Sequence, residues 1–218
     1  MRVRIKVCGV TRREDARLLA EAGVDALGLN FVDGSPRRLT AEGAAAIVEG
    51  LPPFLLRIGV FADASPEFVR QVADICGLDW AQLHGRETPE QCARMPVGWF
   101  KAHRVGKSFR PDEVLAYGRP LFLLDGADDE RLGGTGRTFD WSVATAVAQY
   151  GSVVLAGGLT PENVGEAIRV ARPFAVDVSS GVESSPGVKD PARVRLFCRR
   201  VAEAGAALDD SVPNEDPE

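Results

Sequence analysis

The sequence has no CxxC pair and no Cys/His grouping at metal-ligand spacing. Its four cysteines, Cys8, Cys76, Cys92 and Cys198, stand far apart. That scatter excludes a zinc ribbon or a disulfide framework and reads as free thiols in a reducing compartment. No apolar run approaches the length of a membrane span. The N-terminus carries no signal-peptide pattern and enters an alternating strand at once, so a cytoplasmic, soluble protein without a membrane partner is expected. A basic stripe of the kind that binds nucleic acid is also missing. The net charge of -5 resides in the last ten residues, where Asp209, Asp210, Glu215, Asp216 and Glu218 stand without a single Lys or Arg. The body of the chain is therefore near neutral, which leaves an anionic substrate open.

What is present is a regular alternation. Eight short, mostly apolar runs read as strands: 3–8, 26–31, 55–61, 80–84, 99–105, 121–125, 152–158 and 174–180. Continuous apolar character is expected of strands covered on both faces. Between them lie helical patterns with recognisable starts and stops. Ser65-Pro66, Thr88-Pro89, Thr160-Pro161 and Asp190-Pro191 each pair a capping side chain with a proline suited to the first turn. Gly23, Gly77 and Gly205 follow the last periodic positions. The helix near 111–118 is the shortest.

Eight strand–helix units of roughly 27 residues imply an α/β fold, a single closed (β/α)8 TIM barrel. An open doubly wound sheet would favour a GxGxxG fingerprint after its first strand, and none is there. No internal linker is visible. The barrel is expected over residues 1–205, with 206–218 a short, disordered acidic tail.

In such barrels chemistry gathers at the carboxyl ends of the strands and in the loops that follow. Cys8 ends strand 1, and Gly9 follows it directly. Arg37 lies in the loop after strand 2, and a guanidinium there can hold a carboxylate by two parallel hydrogen bonds. His84 closes strand 4. Asp125 ends the apolar run of strand 6, where a carboxylate is costly without a partner or a task. Gly157 and Gly158 end strand 7 ahead of a helix, and strand 8 ends in Asp177, Ser179, Ser180 and Gly181. Loops after strands 7 and 8 commonly bind phosphate through backbone N–H groups, and glycines allow the close approach. Each residue has a plain structural reading: core thiol, loop carboxylate, solvated arginine, rim histidine, ordinary turns.

The segments KVCGVTRREDARLLAEAGVDALGLNF, SPR, RIGVF, QLHG, LLDG, GGTGRTFDW, LAGGLTPENV and RPFAVDVSSGVESSPGVKD resemble, in order from about residue 4 to about 204, the phosphoribosylanthranilate isomerase family of tryptophan biosynthesis. The resemblance implies an intramolecular oxidoreductase that performs an Amadori rearrangement. N-(5-phosphoribosyl)anthranilate becomes 1-(2-carboxyphenylamino)-1-deoxyribulose 5-phosphate, with no cofactor and no metal. It implies Cys8 as general base, Asp125 as general acid, Arg37 as the anthranilate-carboxylate anchor and His84 as a substrate contact. Gly157, Gly158, Ser180 and Gly181 would bind phosphate. The only implied partner is this small phosphorylated substrate, and a monomer is favoured over a homodimer.

Three positions depart from the pattern: Arg38, where an aromatic is common, Gly126 after the acid, and His103 in a strand that is usually more apolar. For Cys8 to act as thiolate, nearby positive charge is expected to help. The glycine-rich loop 126–138 is expected to close over the site. A related indole-glycerol-phosphate synthase would need a lysine and a glutamate at strand ends, and Lys6 and Lys101 have no such glutamate. A barrel retained only for phosphosugar binding is the remaining alternative.

Overall fold

The computed structural model describes residues 2–126 and 139–209. Eight parallel strands close on themselves in sequence order, β1 (Arg4–Cys8), β2 (Ala26–Asn30), β3 (Leu56–Phe61), β4 (Trp80–Leu83), β5 (Gly98–Val105), β6 (Leu121–Gly126), β7 (Ser152–Leu155) and β8 (Ala175–Val178). The closure is the pairing of β8 with β1, where Lys6 stands opposite Asp177. Side chains alternate in and out along each strand. Ala26, Ile58, Phe100, Leu123, Val154 and Ala175 form a packed cluster separate from the main core, as the filled interior of a small barrel demands. The intervening residues, such as Leu27, Leu29, Leu124 and Val176, are fully buried in the larger core shared with the helices.

The helices are α1 (Arg13–Glu21), α2 (Ala41–Val48), α3 (Pro66–Cys76), α4 (Pro89–Ala93), α5 (Ser142–Ala148), α6 (Val164–Ala171) and α7 (Pro191–Asp209). Caps follow the sequence. Ser65 accepts from the N–H of Phe68, Thr88 and Gln91 form a reciprocal capping box, and Gly77 ends α3 at φ +61°. The segment Pro111–Tyr117 is a 3₁₀ helix, not an α-helix.

Two helix boundaries differ from the reading by pattern. The helix expected from Thr160 begins at Val164. Asn163 instead accepts from the N–H of Thr160 and donates to the carbonyl of Gly158, which holds 158–163 as a turn. At the other end α7 continues through Gly205 to Asp209. One glycine costs about 1 kcal/mol in a helix, and flanking alanines together with buried Leu208 carry the helix past it. Residues 127–138, most of the expected closing loop, and 210–218 lie outside the described residues. A short antiparallel pair, β9 (Glu183–Ser185) and β10 (Val188–Lys189), sits in the connection after β8.

Candidate active site

Each candidate side chain is placed by the same alternation. In β1 the inward positions carry Lys6 and Cys8; in β8, Asp177; in β4, Gln82 with His84 just beyond; in β6, Asp125. All eight candidate residues line one cavity of about 600 Å³ at the carboxyl ends of the strands: Cys8, Arg37, His84, Asp125, Gly157, Gly158, Ser180 and Gly181. That volume suits a small ligand.

Two glycines create the space around Cys8. Gly28 stands opposite it on β2, and a Cβ there would lie 2.8 Å from both the Cα and the Sγ of Cys8. Gly9 turns the chain at φ +71°, and its Cβ would lie 2.2 Å from the Cδ of Arg37. The arginine side chain thus crosses the gap that Gly9 leaves open.

Cys8 is surrounded by charge. Lys6 forms a buried ion pair with Asp177, Nζ to Oδ2 at 2.8 Å, and its ammonium also acts on the thiol. Lys189 donates to the backbone carbonyl of Cys8 at 2.6 Å and to Glu183 at 2.7 Å. The expected cations are therefore beside the sulfur, but they do not decide its state. Burial pushes the Cys8 thiol above its ordinary pKa, Asp177 pushes the same way, and the two lysines only offset part of this. Burial alone would lower Lys6, yet Asp177 and Cys8 hold its pKa above the ordinary lysine value.

Arg37 is bound edge-on by Glu183, Nε to Oε1 at 2.9 Å and Nη2 to Oε2 at 2.6 Å. Burial would raise the Glu183 pKa, but Arg37 and Lys189 more than reverse it. The pairing occupies the Nε/Nη2 edge of the guanidinium of Arg37, which lines the cavity. Arg38 points elsewhere, to an exposed ion pair with Asp33.

His84 Nε2 lies 3.3 Å from Asp125 Oδ2 without hydrogen-bond alignment. Its Nδ1 faces the Gln82 side-chain nitrogen at 3.0 Å. Lys101, buried outside the barrel, donates to the carbonyls of Leu83 and Gly85 at 3.1 and 2.9 Å and so fixes the peptides that flank His84.

The two glycine loops are interlocked. Gly157 and Gly158 have φ +82° and +65°. A Cβ on Gly157 would lie 2.5 Å from the N of Gly126 and 2.9 Å from Asp125 Oδ1. A Cβ on Gly181 would lie 1.9 Å from the carbonyl oxygen of Leu159. Arg193 clasps both loops, donating to the carbonyl of Gly181 at 2.9 Å and to Glu162 at 3.3 Å. Ser180 and Gly181 open a 3₁₀ turn, whose first N–H groups have no acceptor within it.

Pattern reading places Asp177 at the end of strand 8 without giving it a role, and it does not assign Lys6, Glu183, Lys189 or Gly28. For Lys6 the signal was a lysine in the middle of an apolar strand, since a buried charge requires a partner.

A family model described as N-(5'phosphoribosyl)anthranilate (PRA) isomerase matches residues 5–200. The N-(5'-phosphoribosyl)anthranilate isomerase of Geobacter sulfurreducens is 50% identical over 198 residues, 91% of this chain and 98% of the relative. The crystal structure of phosphoribosyl anthranilate isomerase from Thermotoga maritima superposes with a TM-score of 0.87 at 42% identity, covering 92% of this chain and 99% of that one. A structure of the enzyme in complex with reduced 1-(o-carboxyphenylamino)-1-deoxyribulose 5-phosphate superposes with a TM-score of 0.83 at 40% identity, with the same coverage.

Proposed function

The chain belongs to the N-(5'-phosphoribosyl)anthranilate isomerase family and is an isomerase of tryptophan biosynthesis, and from that premise we propose how its cavity does the work. The phosphate end of the substrate rests on Gly157, Gly158, Ser180 and Gly181. The anthranilate carboxylate meets Arg37. Between these anchors Asp125 gives a proton to the ribose ring oxygen, with His84 beside it as a substrate contact. The ring opens to an iminium. Cys8, as thiolate, removes the C2′ proton, and the resulting enolamine tautomerises to the ketone.

The observation that carries this reading is the convergence of all eight groups on one cavity. Two anchors on one substrate convert proton transfer into a positioned, intramolecular event. Lys6 and Lys189 reduce the cost of a thiolate that burial opposes, and the cationic iminium acidifies the C–H that the thiolate attacks.

The site takes its groups from a single chain, so a monomer suffices for the reaction; light scattering on the purified protein tests this, and a relative from Thermotoga maritima is described as dimeric. No helix among the described residues is long and apolar enough to cross a membrane, and a cytoplasmic location fits the free thiols. The acidic C-terminal residues are taken as an appendage to one catalytic domain.

The test is the loss of substrate fluorescence with wild type, Cys8→Ala and Asp125→Asn. Each substitution is expected to lower kcat by roughly 10² to 10⁴. Full activity in either variant removes the role given to that residue. An inactive wild type favours the phosphosugar-binding alternative.

A further inference from the structure

The lining of the cavity includes a buried carboxylate that has one oxygen without a hydrogen-bond partner among the described residues. Asp177 is 7% exposed and lines the cavity. Its Oδ2 is tethered by Lys6 at 2.8 Å. Its Oδ1 is buried and has no hydrogen-bond partner among the described residues. The side-chain oxygen of Gln82, on the same cavity wall, is in the same condition. A buried polar atom without a partner costs about 1–3 kcal/mol, more when charged. Such an acceptor in a ligand cavity is completed by a ligand donor.

We propose that Asp177 Oδ1 accepts a hydrogen bond from the C3′ hydroxyl of the sugar, with Lys6 as the positioning residue that turns this oxygen into the cavity. The assignment rests on the roles given above to Cys8 and Asp125. The base acts at C2′, and the acid serves the oxygen attached to C4′. C3′ is the carbon between them. Asp177 likewise stands between the two groups: it is one inward position below Cys8 across the β1–β8 pairing and interacts electrostatically with Asp125 and His84. The Lys6–Asp177 pair then has a reason beyond closing the barrel. It holds a charged acceptor against a sugar hydroxyl and discriminates against substrates that lack one, because the unmet acceptor must then stay buried and dry.

The experiment compares kcat/KM for the natural substrate and its 3′-deoxy analogue. The wild type is expected to favour the hydroxylated substrate by about 10- to 100-fold. The variant Lys6→Met/Asp177→Leu replaces a buried ion pair with apolar groups of similar volume, a change often neutral for folding; its preference is expected to fall to near one. Asp177→Asn, which keeps the shape and weakens the acceptor, is the second variant, and its preference is expected to fall below that of the wild type. Equal use of both substrates by the wild type overturns the proposal, as does an undiminished preference in either variant. A wild type that leaves the natural substrate unchanged fails the proposed function itself, a separate outcome.

Discussion

The Glu183 carboxylate grips the Arg37 guanidinium along one edge, accepting from Nε at 2.9 Å and from Nη2 at 2.6 Å across 146 residues of sequence. The anion takes no part in the proposed chemistry. Its effect is to fix a long side chain whose other end is the proposed anchor for the substrate carboxylate. Lys189, bound to both Glu183 and the carbonyl of Cys8, extends the support to the strand end that bears the proposed base.

Glu183→Gln keeps the shape but replaces one accepting oxygen with a donor that faces the guanidinium. Arg37 loses its fixed orientation before substrate arrives. KM is expected to rise about tenfold, equivalent to one hydrogen bond to a charged group, while kcat changes much less. Steady-state kinetics decide it: an unchanged KM, or a fall confined to kcat, shows that Glu183 does not support the anchor.

The two glycines that shape the base predict separable defects. A Cβ on Gly28 strikes Cys8 at 2.8 Å, so Gly28→Ala is expected to lower kcat by at least tenfold and to cost about 1–3 kcal/mol through overpacking. Gly9→Ala meets Arg37 instead and forces a residue with a Cβ into φ +71°, a cost of about 1–2 kcal/mol. Its kinetic loss is expected in KM. Denaturant titration and kinetics on both proteins check the division. A Gly9 variant with normal KM would mean that Arg37 moves aside without consequence.

The state of Cys8 predicts the shape of the pH–rate profile. As the proposed base, Cys8 must lose its proton, and burial raises its pKa above the ordinary thiol value. kcat/KM, which reports the free enzyme, also needs the proton on the proposed acid Asp125, so it is expected to carry one limb from each group, with the Cys8 limb above the ordinary thiol value of about 8.5. Lys6→Met removes a cation that lowers the Cys8 pKa, so the Cys8 limb moves to still higher pH. A wild-type Cys8 limb that lies below pH 7, or a Lys6 variant whose Cys8 limb moves down, contradicts the electrostatics described for the site.

How much of this was legible in the sequence follows from range. Strands and helices are set by local pattern, and all eight strands fall where apolar runs predict them. The 3₁₀ helix at Pro111–Tyr117 and the late start of α6 depend on a few side-chain bonds, such as Asn163 to Gly158, that no periodicity reveals. That the candidate residues at strand ends would gather at one cavity was legible because the barrel rule gives strand ends their meaning. The supports were not. Lys6 and Asp177 are 171 residues apart, and only closure of β8 onto β1 brings them together. Gly28 looks like any small residue in a strand until Cys8 is placed opposite.

His103 shows how a departure from the family pattern becomes a measurable property. It faces outward from β5, 9% exposed, against the rings of Phe109, Tyr117 and Phe122, and its Nε2 has no partner among the described residues. Burial, assisted by Lys101, pushes its pKa down to about 4. An unfolded histidine titrates near 6.5. Above pH 6.5 both states are neutral and the site contributes fully. As pH falls from 6.5 toward 4, only the unfolded chain gains the proton, so stability drains away across that window. The full difference is of order 3 kcal/mol, and about 2 kcal/mol of it is lost by pH 5. His103→Phe, similar in size and apolar like its neighbours, has no proton to gain. Urea titrations of both proteins at pH 7 and pH 5 should show the wild type losing about 2 kcal/mol more than the variant. Equal losses would mean that His103 takes up its proton in the folded state and that the aromatic shell admits water.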